Sequence, residues 1–169
     1  MKKIYIIIVT FTLILFTTCI LFCNNDNSTK PETTTKTLNL ETINGLTLNF
    51  AKPSDSEEVI SNLNCEGLCK GIPSGYYLKI FVKPSTVPTW YPQQPVTIKQ
   101  DTIWNASVFI GGEDERDNGL SFSIGVVCVT GEDAEDIDKD LSGNTSYYIN
   151  GSIPAMINVI HISKFQSDW

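Results

Sequence analysis

Along most of this chain apolar residues recur at every second position, the spacing of half-buried strands. In "GLTLNFAKP", Leu46, Leu48 and Phe50 share one face, and Pro53 ends the run. "NLNCEGLCKG" places Leu63, Cys65, Gly67 and Cys69 on one face. After the turn "IPSG", "YYLKIFVKP" sets Tyr76, Leu78, Ile80 and Val82 against Tyr77, Lys79 and Phe81. The first set is the more apolar and is expected to face the core. "PVTIKQ" reads as a short strand. In "TIWNASVFIGG", Trp104, Ala106, Val108 and Ile110 share a face, so Trp104 is expected in the core while Asn105 and Ser107 point away. "LSFSIGVVCVT" sets Phe122, Ile124, Val126 and Cys128 against Ser121, Ser123 and Gly125, and a last strand falls around "AMINVIHISKF".

One stretch breaks the alternation. "GEDAEDIDKDLSG" has Ala134, Ile137 and Leu141 at helical spacing, carboxylates crowding its first turn and Gly143 at its end. The spacing predicts one short amphipathic helix with acids at the positive pole of its dipole. The rest predicts an all-β domain. About seven short strands with turns between them point to an antiparallel, immunoglobulin-like β-sandwich with that one helix.

The chain has a different character at its start. "MKKIYIIIVTFTLILFTTCILFC" opens on Lys2 and Lys3, and no further charge appears before Asp26. A basic start followed by an apolar run is the pattern of a signal peptide. The run from Ile4 to Cys23 would span about 30 Å as a helix, enough to cross a bilayer. Residues 1–23 are therefore expected to be a signal peptide or a retained membrane anchor. "ILFC" followed by "NNDNSTKPETTTKT" also resembles a bacterial lipoprotein signal and its polar tether, which implies lipidation at Cys23, although Phe22 stands where that signal has a small residue. Residues 24–37 carry no aromatic side chain and read as a flexible polar spacer, leaving 38–169 for the globular domain. Lipidation at Cys23 and a retained span each place the domain outside the cytoplasm, tethered to the membrane.

Composition narrows the function classes. Net charge is −7, and removal of the first segment takes the basic residues from 12 to 10 against 19 acidic ones, giving −9. That balance argues against nucleic acid and against attraction to anionic lipid headgroups. His161 is the single histidine, so no histidine-rich metal set is expected. A Cys128–His161 nucleophilic pair competes with the plainer reading of two packed side chains, and packing is preferred. No phosphate loop or nucleophile elbow occurs. "EDERDNG" supplies Glu113, Asp114, Glu115, Asp117 and Asn118, but Arg116 interrupts a calcium-loop alternation, and a solvated loop is expected instead. No cofactor or metal is expected, and no enzymatic activity. Asn27, Asn105, Asn144 and Asn150 each begin an Asn-x-Ser/Thr triplet.

The segment "VPTWYPQQP" is the remaining candidate. Trp90 and Tyr91 lie between Pro88 and Pro92, where the backbone cannot pair fully, so one ring is expected to be partly exposed. Packing is the preferred role. The alternative is a carbohydrate-binding module in which Trp90 and Tyr91 stack on a sugar beside Gln93 or Gln94.

"LNFAKPSDSEEVISNLNCEG" resembles the opening of bacterial and archaeal immunoglobulin-like surface modules. "GIPSGYYLKIFVKP", "WYPQ", "DTIW", "FSIGVVCV" and "SIPAMINVIHI" are similar, in order, to further landmarks of a prokaryotic subgroup of such modules. The resemblance spans most of Leu46 to Phe165. Lys79 departs from it, since the subgroup often has an apolar or aromatic residue there. The resemblance implies adhesion, an envelope-structural role or binding of a surface protein or glycan. It also implies that Cys128 packs opposite the strand carrying Cys65 and Cys69. On one regular strand those two lie about 13 Å apart, too far to bridge without a bend, which Gly67 could supply. The expected disulfide joins Cys69 to Cys128, closing a loop of about 60 residues worth about 4 kcal/mol. Cys65–Cys128 and three buried thiols are the alternatives.

Overall fold

The computed structural model describes residues 33–100, 102–111, 117–141 and 145–161. The signal or anchor segment with Cys23, the start of the spacer, and Glu113 to Arg116 of the acidic loop lie outside the described residues. The elements run β1 (Thr34–Asn39), β2 (Thr47–Lys52), β3 (Glu57–Val59), β4 (Asn62–Lys70), β5 (Tyr76–Pro84), β6 (Tyr91–Pro92), β7 (Thr97–Lys99), β8 (Ile103–Phe109), β9 (Ser121–Thr130), α1 (Gly131–Asp140), β10 (Thr145–Asn150) and β11 (Ala155–His161). Among the described residues the structure is all-β apart from one helix.

Two sheets enclose the main core. One has the order β2-β4-β8-β7 and the other β3-β11-β9-β5-β6. Alternation along the strands selects their inward faces. Leu48, Cys65, Cys69, Trp104, Ala106 and Val108 from the first sheet meet Leu78, Ile80, Val82, Ile124 and Val126 from the second. Trp104 lies there as its neighbours require, with an edge-on contact to Phe50 at 5.0 Å between ring centroids. Its indole N–H donates to the carbonyls of Asn49 and Leu68 at 3.1 and 3.2 Å.

The expectation of about seven antiparallel strands understates the architecture. Eleven strands are present among the described residues, and the pairs β1–β10 and β3–β11 are parallel. β1 and β10 form a separate two-stranded sheet. Together with α1 they contribute to a second core built on the outer face of β5 and β9, where Leu38, Phe81, Trp90, Val127, Val129, Ile137 and Tyr147 are buried. A strand covered on both faces reads as a continuous apolar run, and "VVCV" in β9 is one. Lys79, on that same outer face, is only 6% exposed, and its ammonium meets Asp138 of α1 at 2.5 Å. The proposed facing of β5 therefore holds, with both sides of the strand covered.

β1 starts at Thr34, so residues 34–37, which composition assigns to the spacer, belong to the folded domain. The register Leu38↔Ile149 is a partnership over 100 residues away, invisible to local composition. α1 forms where its spacing predicts. Thr130 caps it by accepting from the Asp133 amide at 3.3 Å, Glu132 and Asp133 occupy the first turn, and Ala134 and Ile137 are buried.

Candidate binding site

"VPTWYPQQP" is split between the two sides of its sheet. Trp90 exchanges backbone hydrogen bonds with Tyr147, N to O in both directions at 2.8 and 2.7 Å, and its side chain enters the second core. The indole lies over Gly125 of β9, where an added Cβ would stand 3.2 Å from the ring. The Lys83 ammonium sits 5.2 Å from its centroid. With 6% exposure Trp90 offers no stacking face, which corrects its assignment as a ligand contact. Packing was the preferred role for this ring; what the expected two-layer sandwich lacked was the layer that covers that side of β5 and β9.

Tyr91 stays half-buried. Its strand pairs Tyr91↔Val82 and Pro92↔Phe81, and the Gln93 amide extends this pairing by donating to the Ile80 carbonyl at 3.0 Å. The Gln93 side chain turns to the other sheet. Its Oε1 accepts from the Phe109 amide at 2.8 Å, while its Nε2 donates to the Tyr91 carbonyl at 3.4 Å. Gln93 thus stitches the edges of the two sheets together, and its carboxamide is occupied in doing so.

That stitch separates two open depressions that share Gln93 and Phe109 as walls. The first, about 310 Å³, is bordered by Tyr91, Thr86, Asp117 and Phe122. The second, about 380 Å³, is bordered by Gln94, Asn62, Ser107 and Leu141. Phe109 stands between them, 48% exposed. It ends β8 on an outward position, so the alternation that buries Val108 turns Phe109 to solvent. The β7–β8 ladder stops at Thr97↔Asn105, and Pro95 has no N–H with which to prolong it. The space beside Ser107 and Phe109 therefore stays open. Tyr91 and Gln93 both border this site. Phe109 was missed, although its outward register could have been read from the alternation.

The remaining candidates are structural. Cys128 and His161 are not a pair. Val126 lies opposite Ala155 while Ser121 lies opposite Ile160, so Cys128 sits at one end of β9 and His161 lies beyond the other end. The His161 ring is fully buried, 3.1 Å from Ser61 Oγ through Nε2 and 3.2 Å from the Asp117 carbonyl through Nδ1. A carbonyl only accepts, so Nδ1 is the donor to Asp117. Gly111, whose added Cβ would approach the ring to 3.1 Å, and Phe122 pack against it. This clip ties the end of β11 to the turn before β4. Ser61 is 100 residues away in sequence, and no spacing could have indicated it.

The expected Cys69–Cys128 disulfide is not made in this structure, nor is the Cys65–Cys128 alternative: all three cysteines are buried as thiols. Burial pushes the Cys65 thiol up to about 12. Burial, and then the proximity of Cys69, push Cys128 up to about 11. Neither supplies much of the thiolate that exchange requires. Gly67 does not act as a bend between Cys65 and Cys69. It lies opposite Trp104 in a regular ladder, and the absence of its side chain makes room for the indole.

No protein-family model and no curated protein matches the chain. Among solved structures the chain is similar to the endo-β-1,4-mannanase from Thermotoga petrophila, at 11% identity and a TM-score of 0.37. The match covers 73% of this chain and 21% of that enzyme, and at this distance it carries no argument about fold or activity.

Proposed function

We propose that this chain is a non-enzymatic, membrane-tethered, extracytoplasmic module of immunoglobulin-like type that binds a partner at the cell envelope. The observation that carries the binding role is the exposed Phe109, held between two open depressions on an edge that Gln93 locks to both sheets. A rigid platform loses little entropy when a partner docks, so modest contact area gives useful affinity. The basic, apolar start of the chain and the resemblance around Cys23 support the tether. The resemblance to surface modules supports the fold type and an adhesion or envelope-structural role.

Two experiments test this. Globomycin-sensitive processing, with loss of membrane association in Cys23→Ser, supports a lipid anchor. Membrane retention of an unprocessed Cys23→Ser chain supports a spanning one, and recovery of the wild-type chain in the cytosol overturns the placement. Separately, the full chain in detergent micelles should bind isolated cell-envelope material, and Phe109→Ala should weaken that binding about ten-fold. Binding unchanged by Phe109→Ala would show that the cleft is not the docking surface.

A further inference from the structure

We infer that the ligand of the Phe109 cleft is a neutral saccharide chain lying along β8; this rests on the reading of the cleft as a binding surface. Side chains of β8 that alternate outward are Ile103, Asn105, Ser107 and Phe109, a row about 20 Å long. Open depressions follow one another along it. A third depression of about 550 Å³, bordered by Asn64, Asn105 and Ser107, shares Ser107 with the one beside Phe109. Ser107 thus borders both the second and the third depression, and Phe109 borders both the second and the one on the Tyr91 side.

The chemistry of this row is carboxamide and hydroxyl beside an exposed ring. Asn62, Asn64, Gln94 and Asn105 offer both donors and acceptors at the surface, and a polyhydroxylated ligand can satisfy either. Ser107 donates to Asn64 Oδ1 at 3.1 Å, which leaves the Asn64 N–H₂ group for a ligand oxygen. Phe109, with Tyr91 across the Gln93 stitch, supplies the flat apolar faces on which the C–H side of a sugar ring packs. A protein partner would favour a wide apolar centre, whereas here one prominent ring stands among amides. Charge decides between saccharides. The residues bordering the Phe109–Ser107 depression are all uncharged. The charged groups of the row, Lys52, Glu66 and Lys99, lie at its far end with mixed signs. With net charge −7 on the chain and no cation beside Phe109 among the bordering residues, an acidic polysaccharide is disfavoured and a neutral one fits.

The test is isothermal titration calorimetry of the full chain in detergent micelles. The probes are neutral gluco-, manno-, xylo- and galacto-oligosaccharides, with uronic-acid oligosaccharides as charged counterparts. At least one neutral series should bind. Phe109→Ala should weaken it about ten-fold and Gln94→Ala about three-fold, while Tyr148→Ala, an exposed ring on β10, should leave it unchanged. Absence of binding across the neutral series, preference for the uronic acids, or binding that survives Phe109→Ala overturns the inference. Treating the envelope material separates this from failure of the broader reading. If Phe109-dependent binding resists periodate and is abolished by proteinase K, the ligand is a protein and only the saccharide inference fails. If envelope binding never depended on Phe109, the binding role itself fails.

Discussion

Gly67→Ala should damage this domain far more than a methyl group in a strand ordinarily does. Gly67 sits in β4 between Phe50 of β2 and Trp104 of β8. An added Cβ would lie 1.9 Å from the Asn49 carbonyl oxygen and 2.4 Å from Cζ2 of Trp104. Ordinary van der Waals contact begins near 3.4 Å, so both the β2 backbone and the indole must move by an ångström or more. Overpacking of this kind costs about 1–3 kcal/mol. The indole N–H bonds to Asn49 and Leu68, worth about 1 kcal/mol each, are strained in the same movement. Stiffening of the unfolded chain returns about 0.5–1 kcal/mol. The net expectation is a loss of about 3 kcal/mol and a fall in Tm of about 10 °C. Urea denaturation monitored by circular dichroism measures it. The same substitution in a Trp104→Leu background should cost less than in the wild type, because the ring no longer occupies the site. A Gly67→Ala protein within 0.5 kcal/mol of wild type, or full additivity with Trp104→Leu, would refute the reasoning.

Other substitutions probe the layer over β5 and β9. Lys79→Met should leave stability within about 1 kcal/mol of wild type, because an apolar side chain of similar length replaces a buried ammonium. Asp138→Asn should cost about 1–2 kcal/mol, since it leaves that ammonium under α1 without a carboxylate; urea melts of both variants check the asymmetry. Asp140 receives hydrogen bonds from the Lys36 ammonium at 2.6 Å and from the Tyr147 hydroxyl. Burial alone would push its carboxyl up, but these donors outweigh burial and hold it below the ordinary 3.8. Burial, followed by the bond to Asp140, pushes the Tyr147 hydroxyl above its ordinary 10. The Asp140 contribution is therefore complete above about pH 4 and fades as pH falls through the lowered value, while the Tyr147 contribution is complete below about pH 10 and fades as pH rises through the raised one. Stability against pH for Asp140→Asn should lie about 1 kcal/mol below wild type at neutrality and converge with it in acid; parallel curves down to pH 2 would count against this account. Denaturation without reductant in the presence of iodoacetamide should label Cys65, Cys69 and Cys128 in the tryptic peptides, and an unlabelled Cys69–Cys128 pair would contradict the thiol state.

Period-two alternation by itself determined which side of each main strand meets the core, because a one-residue slip would expose the whole apolar set. It put Trp104, Ala106 and Val108 inside, and it set Leu78, Ile80 and Val82 against Lys79 and Phe81. Helical spacing of Ala134, Ile137 and Leu141 and dipole chemistry likewise made α1 legible within "GEDAEDIDKDLSG". What lay beyond reach were partnerships between distant segments. β1 is a threonine-rich hexapeptide with one buried side chain, Leu38, and it becomes a strand because β10 runs beside it. Only that added layer explains why Trp90 is buried, why Lys79 is covered, and why Phe81 and Val127 are apolar on a face that a two-layer sandwich would leave wet. The candidate site divides in the same way. Tyr91 and Gln93 were visible in a proline-rich corner where backbone pairing must falter. Phe109 became part of their site only when the sheets packed and Gln93 reached across from the Ile80 carbonyl to the Phe109 amide. Local periodicity determines which way a side chain faces; what it then meets is set by contacts across the whole chain.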